Sequence, residues 1–487
     1  MQISSLLSIC QITLLAGLMA GCSTILQPDN EAITQIDENT GYRRLNYQSP
    51  EDFGDTLILL AFSGGGTRAA ALSYGVLQEL RDTEIESKDA TVRVLDEVDT
   101  ISSVSGGSFT AAYYGLYREK IFEDYEDDFL RLGVQQALIQ QLFNPMHWIR
   151  SSFQGFDRTE MAIDYYDRKI FHGATFGDMA RQGLPFIDIN ATDLTNGLRF
   201  TFTQERFDLI CTNLSSYSVA RAVTASSAVP VVFPTVVLEN HADKCQLEGS
   251  REWDLLIQAE ARAEGEAQTS LIEGLKSYRD AEKRKYIHLV DGGISDNLGL
   301  RSIIDRLENI GEHTLERFKD IPFKNVLVIL VNADVEPDSL IEQTAGKPSV
   351  ASTMDAYSSV QIDRYNQETF DRLRENLAEL EVRAAERGLP MRLYFSEVRI
   401  DHVKEDEANR FLNSMPTSLE LEDIQVDRLI AAGRLLLRRE PAFVQFRQDN
   451  SGVLVPDAAS SKELCEVFYS HGCPVLDAGN VASKLKN

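Results

Sequence analysis

Thr56-Leu57-Ile58-Leu59-Leu60-Ala61-Phe62-Ser63-Gly64-Gly65-Gly66-Thr67-Arg68 is the stretch from which the fold is read. It opens on an apolar run of strand length, which suits a strand buried on both faces, as in a parallel sheet covered by helices. Three glycines follow, and then the helix-prone residues 69–80. Glycines leave backbone N–H groups bare at a helix N-terminus, where the dipole favours negative charge. The phosphate-binding spacings G-x-x-x-x-G-K-[ST] and G-x-G-x-x-G are both absent. The loop therefore reads as an oxyanion hole, a cradle for charge developing on a carbonyl under attack. Apolar runs recur at 186–189, 287–290 and 326–331, separated by long helical patterns, so the class is a layered α/β/α sheet.

Ser102-Ser103-Val104-Ser105-Gly106-Gly107-Ser108 lies between a short strand pattern at 98–101 and a helix pattern that begins at Phe109. Small neighbours let the backbone turn tightly and lift one hydroxyl onto a helix N-terminus, as a nucleophile elbow requires. Ser105 is the candidate nucleophile, and a serine so placed points to acyl chemistry. Asp291-Gly292-Gly293 ends the strand at 287–290. A carboxylate at the C-terminal edge of a parallel strand sits where α/β active sites form.

These three pieces, in this order, resemble the patatin-like phospholipase family, which carries a glycine-rich oxyanion loop, a G-x-S-x-G serine and a D-G-[GA] aspartate. Asn190-Ala191-Thr192-Asp193-Leu194 resembles the family's strand after the elbow. Ala225-Ser226-Ser227-Ala228-Val229-Pro230 with Phe233-Pro234 resembles its A-S-x-A-x-P segment, and Asp296-Asn297 follows the aspartate motif. The resemblance spans about residues 56–301. Met415-Pro416-Thr417-Ser418 and Ala431-Ala432-Gly433-Arg434 are similar to bacterial members with C-terminal extensions. Two positions depart from the pattern: Ser103 replaces the first elbow glycine, and Ala69 the glycine after Arg68.

The resemblance implies a three-layer α/β/α patatin-like fold, with a mostly parallel central sheet and a C-terminal α/β extension. It makes Ser105 the nucleophile and Asp291 its general-base partner. The N–H groups around Gly64, Gly65 and Gly66 form the oxyanion hole, Gly106 adds one, and Arg68 fixes the loop or meets a phosphate head group. The implied activity is a serine lipid acyl hydrolase of phospholipase A or lysophospholipase type. Its substrates are membrane lipids, it works through an acyl-enzyme, and it needs neither cofactor nor metal. Ordinary α/β-hydrolases add a histidine. His313, His402 and His471 follow Asp291 without a glycine-rich or strand-end context, and His288 points to the opposite face of its strand. A Ser–Asp dyad is expected. The alternatives are a Ser–His–Asp esterase and a lipoprotein that keeps the fold as a binding module without turnover.

A chain of 487 residues with 43% hydrophobic content can bury a large core. Its formal net charge of −27 repels phosphate backbones, which excludes nucleic acid as a partner, and offers no help in docking on anionic lipid. Attachment to a membrane has to come from the N-terminus. Residues 6–19 are mostly apolar and lead into Leu18-Met19-Ala20-Gly21-Cys22. Small residues before a cysteine resemble a bacterial lipobox, which would make 1–21 a lipoprotein signal peptide and Cys22 a lipidated anchor. An ordinary secretory signal with an incidental cysteine is another reading; a transmembrane anchor is disfavoured because Gln11, Thr13 and the serines interrupt a stretch that barely reaches spanning length. Ser23 after the cysteine resembles outer-membrane sorting, so a bacterial cell envelope is the expected location. Cys211, Cys245, Cys465 and Cys473 remain, as two disulfides (most simply Cys211–Cys245 and Cys465–Cys473) or as buried thiols. No Cys/His cluster has metal-binding spacing.

Residues 22–55 read as a polar tether with an N-terminal segment, 56–301 as the catalytic core and 302–487 as the extension. Residues 252–285 are charged and alanine-rich, a solvated helical insertion without a strong apolar stripe. A long amphipathic helix is expected over 354–387. The aromatic stretch 143–156 is core packing or a lid.

Overall fold

Strand β1, Thr56–Phe62, is buried at every position. Ile58, Leu60 and Phe62 enter the core on one face of the sheet; Leu57, Leu59 and Ala61 enter a second core on the other. An unbroken apolar run is what a strand with two covered faces requires. The computed structural model describes residues 28–47, 55–87, 90–134, 158–229, 233–262, 265–309, 324–335, 345–389, 391–403 and 406–468. The signal segment 1–21, Cys22, Cys473, His313, His471 and the aromatic stretch 143–156 lie outside the described residues.

After β1 come α1 (Gly66–Arg81), β2 (Val98–Val104), α2 (Gly106–Tyr117), β3 (Phe186–Asp193) and β4 (Arg199–Thr201). Next are α3 (Val219–Ser226), β5 (Val236–Glu239), β6 (Tyr286–Val290), α4 (Leu300–Asn309) and β7 (Asn325–Asn332). The chain closes its layers with α5 (Val350–Glu386), β8 (Arg392–Arg399) and α6 (Asp423–Arg439). The eight-stranded sheet has the order β8-β7-β1-β2-β3-β6-β5, with β4 also on β3. β8, β7, β1, β2 and β3 are mutually parallel. Helices α1, α2, α3 and α6 pack over one face, and α4 and α5 over the other. The architecture is three-layer α/β/α around a mostly parallel sheet.

Three features correct or add to the sequence reading. β6 is antiparallel to both β3 and β5, not parallel, with Val290 opposite Thr192. An apolar run carries no direction, so its orientation was not legible. Asp291 is still fixed at the sheet: its N–H donates to Ala228 O at 3.0 Å, and its carbonyl accepts from Thr192 Oγ1 at 2.8 Å. Second, the segment after residue 301 supplies β7 and β8, and β7 pairs with β1 over residues 325–331. Third, the insertion forms two helices, Arg251–Arg262 and Glu266–Lys276, whose Leu256 and Leu275 reach the main core while Leu255, Ile257 and Leu271 stay exposed.

The described part of residues 22–55, read as a tether with an N-terminal segment, is built into the fold. Tyr42 is buried, and its hydroxyl accepts the Ile187 N–H at 2.7 Å; Arg43 pairs with Asp208 at 2.6 Å. Cys211 and Cys245 form a disulfide across 34 residues, and Cys465 is also disulfide-bonded.

Candidate active site

β2 ends at Val104 and α2 begins at Gly106, so Ser105 alone makes the turn. Its φ of 50° and ψ of −122° cost a non-glycine residue about 1–3 kcal/mol. Hydrogen bonds hold it there from two sides. The Ser105 N–H donates to Ser226 Oγ at 2.9 Å, and the Ser105 carbonyl accepts the Ser108 N–H at 2.9 Å. Ser226 Oγ in turn donates to Asn190 O at 2.6 Å, which ties α3 and β3 to the elbow. Gly106 is demanded by close approach, because a Cβ there would lie 1.9 Å from Gly66 O. Elbow and glycine loop are in backbone contact. Ser103, at the missing glycine's position, is accommodated by donating to Asp188 O at 3.0 Å.

Ser105 Oγ donates to Asp291 Oδ2 at 3.0 Å, and Asp291 Oδ1 accepts the Gly293 N–H at 2.7 Å. The two residues are 7% and 8% exposed. Burial pushes the Asp291 carboxyl up to about 6; the hydrogen bonds from the Gly293 N–H and the Ser105 hydroxyl pull the other way. A carboxyl poised near neutrality and within reach of a serine hydroxyl has the properties of a general base.

Gly66 and Gly106 open α1 and α2, where N–H groups have no intrahelical acceptor. Among the described residues, no acceptor meets the N–H of Gly65, Gly66 or Gly106. Two helix N-termini thus converge on one serine, with unspent donors and favourable dipoles. Gly64 departs from the expectation, since its N–H is spent on Asn297 O at 2.9 Å. The Arg68 guanidinium is buried and donates from Nε to Ala333 O and from Nη1 to Met415 O, each at 2.8 Å, contacts that tie the loop to its neighbours. Burial lowers its pKa to about 10 against the opposing pull of Asp334.

No described histidine is hydrogen-bonded to Ser105 or Asp291. His288 is paired with Thr235 Oγ1 at 3.0 Å and His241 with Asn30 O at 3.2 Å, while His402 is exposed just beyond β8. Among the described residues, no group of three or more His, Cys, Asp or Glu is placed to hold a metal ion.

Sequence reasoning gave no role to Ser226, to the carbonyl of Asn297, or to the carbonyls of Met415 and Ser418. Ser226 lay inside a quoted motif, but a lone serine has no spacing that marks it as a brace. The polar lining of the opposite sheet face was missed too. There Asp188 pairs with Arg44 at 2.5 Å and accepts from Ser302 Oγ at 2.6 Å, and burial pushes the Asp99 carboxyl up to about 7.

The family model for patatin-like phospholipases matches residues 60–304, about half of the chain. No curated protein sequence matches. Among solved structures, human GIVD cytosolic phospholipase A2 aligns with a TM-score of 0.32 at 11% identity. The alignment covers 58% of this chain and 46% of that one, so the chain spans less than half of that protein's length.

Proposed function

The chain belongs to the patatin-like phospholipase family and is a lipid-hydrolysing enzyme; from that premise we propose that it cleaves acyl esters of membrane phospholipids or lysophospholipids with a Ser105–Asp291 dyad. Ser105 Oγ attacks the acyl carbonyl as its proton passes to Asp291, and the carbonyl oxygen takes up negative charge facing the N–H groups of Gly65, Gly66 and Gly106. Collapse expels the alcohol, which takes the proton from Asp291 and leaves the acyl group on Ser105. Water then attacks the acyl-enzyme, gives a proton to Asp291, and the carboxylic acid leaves as that proton returns to Ser105 Oγ. The observation that carries this reading is the 3.0 Å hydrogen bond from Ser105 Oγ to Asp291 Oδ2.

A fluorophosphonate tests it. The purified protein is expected to gain one phosphonyl adduct, located by peptide mass spectrometry on Ser105. Absence of labelling, together with failure to cleave any acyl ester, would favour a binding module without turnover.

The proposal extends to attachment at a bacterial outer membrane through lipidated Cys22, supported by the apolar run at 6–19 and the Leu18-Met19-Ala20-Gly21-Cys22-Ser23 sequence. Acyl chains on one residue hold a protein firmly when there is more than one of them. Metabolic palmitate labelling is expected in the parent and absent in Cys22→Ser; equal labelling of both would remove this part.

A further inference from the structure

The oxyanion loop is held from a segment far along the chain. The Thr67 N–H donates to Ser418 O at 2.8 Å, and Arg68 Nη1 donates to Met415 O at 2.8 Å. Gly66, with φ 62°, passes so close beneath this segment that a Cβ would lie 2.3 Å from Ser418 O and 3.1 Å from Ser418 N. Behind it α6 is locked onto α1. A Cβ at Gly75 would lie 2.2 Å from Ile430 O, and one at Gly433 2.3 Å from Leu72 O, so the two helix backbones touch. Fully buried Glu79 accepts from Arg438 at 2.6 Å on each carboxylate oxygen. The loop's remaining N–H groups are thereby sorted. Asn297 takes that of Gly64, Ser418 takes that of Thr67, and Gly65 and Gly66 stay free.

We infer that residues 415–418 are a positioning strap for the oxyanion loop, aiming the free N–H groups of Gly65 and Gly66 at the site by holding Thr67 and Arg68. The inference rests on Ser105 being the acyl nucleophile. Oxyanion donors work because they are preorganised, and misplacement by about 1 Å costs on the order of a hundredfold in rate. The strap touches no reacting atom. It therefore belongs to the turnover rate and not to substrate affinity.

Pro416 and Thr417 are exposed, so changing both to glycine loosens the strap's backbone without opening the core. Turnover of a soluble ester is measured per Ser105 titrated with fluorophosphonate, which removes misfolded molecules from the count. In Pro416→Gly/Thr417→Gly, kcat per titrated site is expected to fall about tenfold and KM to move by about threefold at most. Arg68→Met is expected to lose about a hundredfold, and Arg68→Lys to recover part of it by restoring one donor. The pH midpoint of the reaction stays in place in all three, because the contacts of Asp291 are untouched. Parent-like kcat per titrated site in both the double-glycine variant and Arg68→Met overturns the strap. A parent that neither labels nor turns over removes the nucleophile reading and the strap together, whereas a parent that labels beside variants that match it removes the strap alone.

Discussion

Ser105→Ala is expected to lower kcat/KM for a soluble acyl ester by about 10⁴-fold or more, with thermal stability close to that of the parent. The magnitude follows from the role: removing a nucleophile removes the covalent path and leaves only the weak catalysis of binding and oxyanion donors. Stability is spared because the contacts that define the elbow are main-chain ones. The N–H of residue 105 still donates to Ser226 Oγ, its carbonyl still accepts from Ser108, and alanine meets the same φ of 50° with no larger side chain. Asp291 responds in a predictable direction. The Ser105 hydroxyl is one of the two hydrogen bonds that pull its carboxyl down, so the carboxyl rises further in the variant. Ester kinetics and a melting curve on the same preparation check the result. More than about a tenth of parental activity would move the nucleophile elsewhere.

The residues that were legible from sequence share a local signature. β1 announced itself by an apolar run, the elbow by a serine among small residues, and the oxyanion loop by three successive glycines between strand and helix. Each signal needs about a dozen neighbouring residues to be read. What escaped depends on distance along the chain. Ser418 accepts the Thr67 N–H through its carbonyl, a group every residue carries, so nothing in its side chain marks the position. The same holds for Asn297 O on Gly64, which removed one expected donor from the oxyanion hole. The Arg44–Asp188 pair joins a segment read as tether and N-terminal segment to β3, and neither residue type is unusual in its own setting. The insertion's narrow apolar stripe was hidden because Leu255 and Ile257 are exposed on either side of buried Leu256.

The Asp291→Asn variant is expected to lose about 10²–10⁴-fold in kcat, the range a positioned general base supplies. It should also lose the parent's pH dependence. With the Asp291 carboxyl at about 6, the parent's kcat/KM rises roughly tenfold per pH unit below that value and levels off above it, since only the ionised form accepts the Ser105 proton. Stability moves the opposite way. The folded-state value lies above the ordinary 3.8, so the folded protein holds this proton more tightly than the unfolded chain between pH 4 and 6. The stability that this group contributes is therefore full below pH 4 and is lost as pH rises through 6, by up to about 3 kcal/mol. Asparagine does not ionise and escapes that loss, so the melting temperature of the variant gains on that of the parent as pH is raised from 4 to 7. A difference that stays constant over this range, or a flat parental profile through pH 6, would contradict the buried base. The same variant separates dyad from triad. With aspartate as the base, residual activity in Asp291→Asn has no titration left near neutrality; with a histidine as the base, it would still titrate near that side chain's ordinary value of about 6.5.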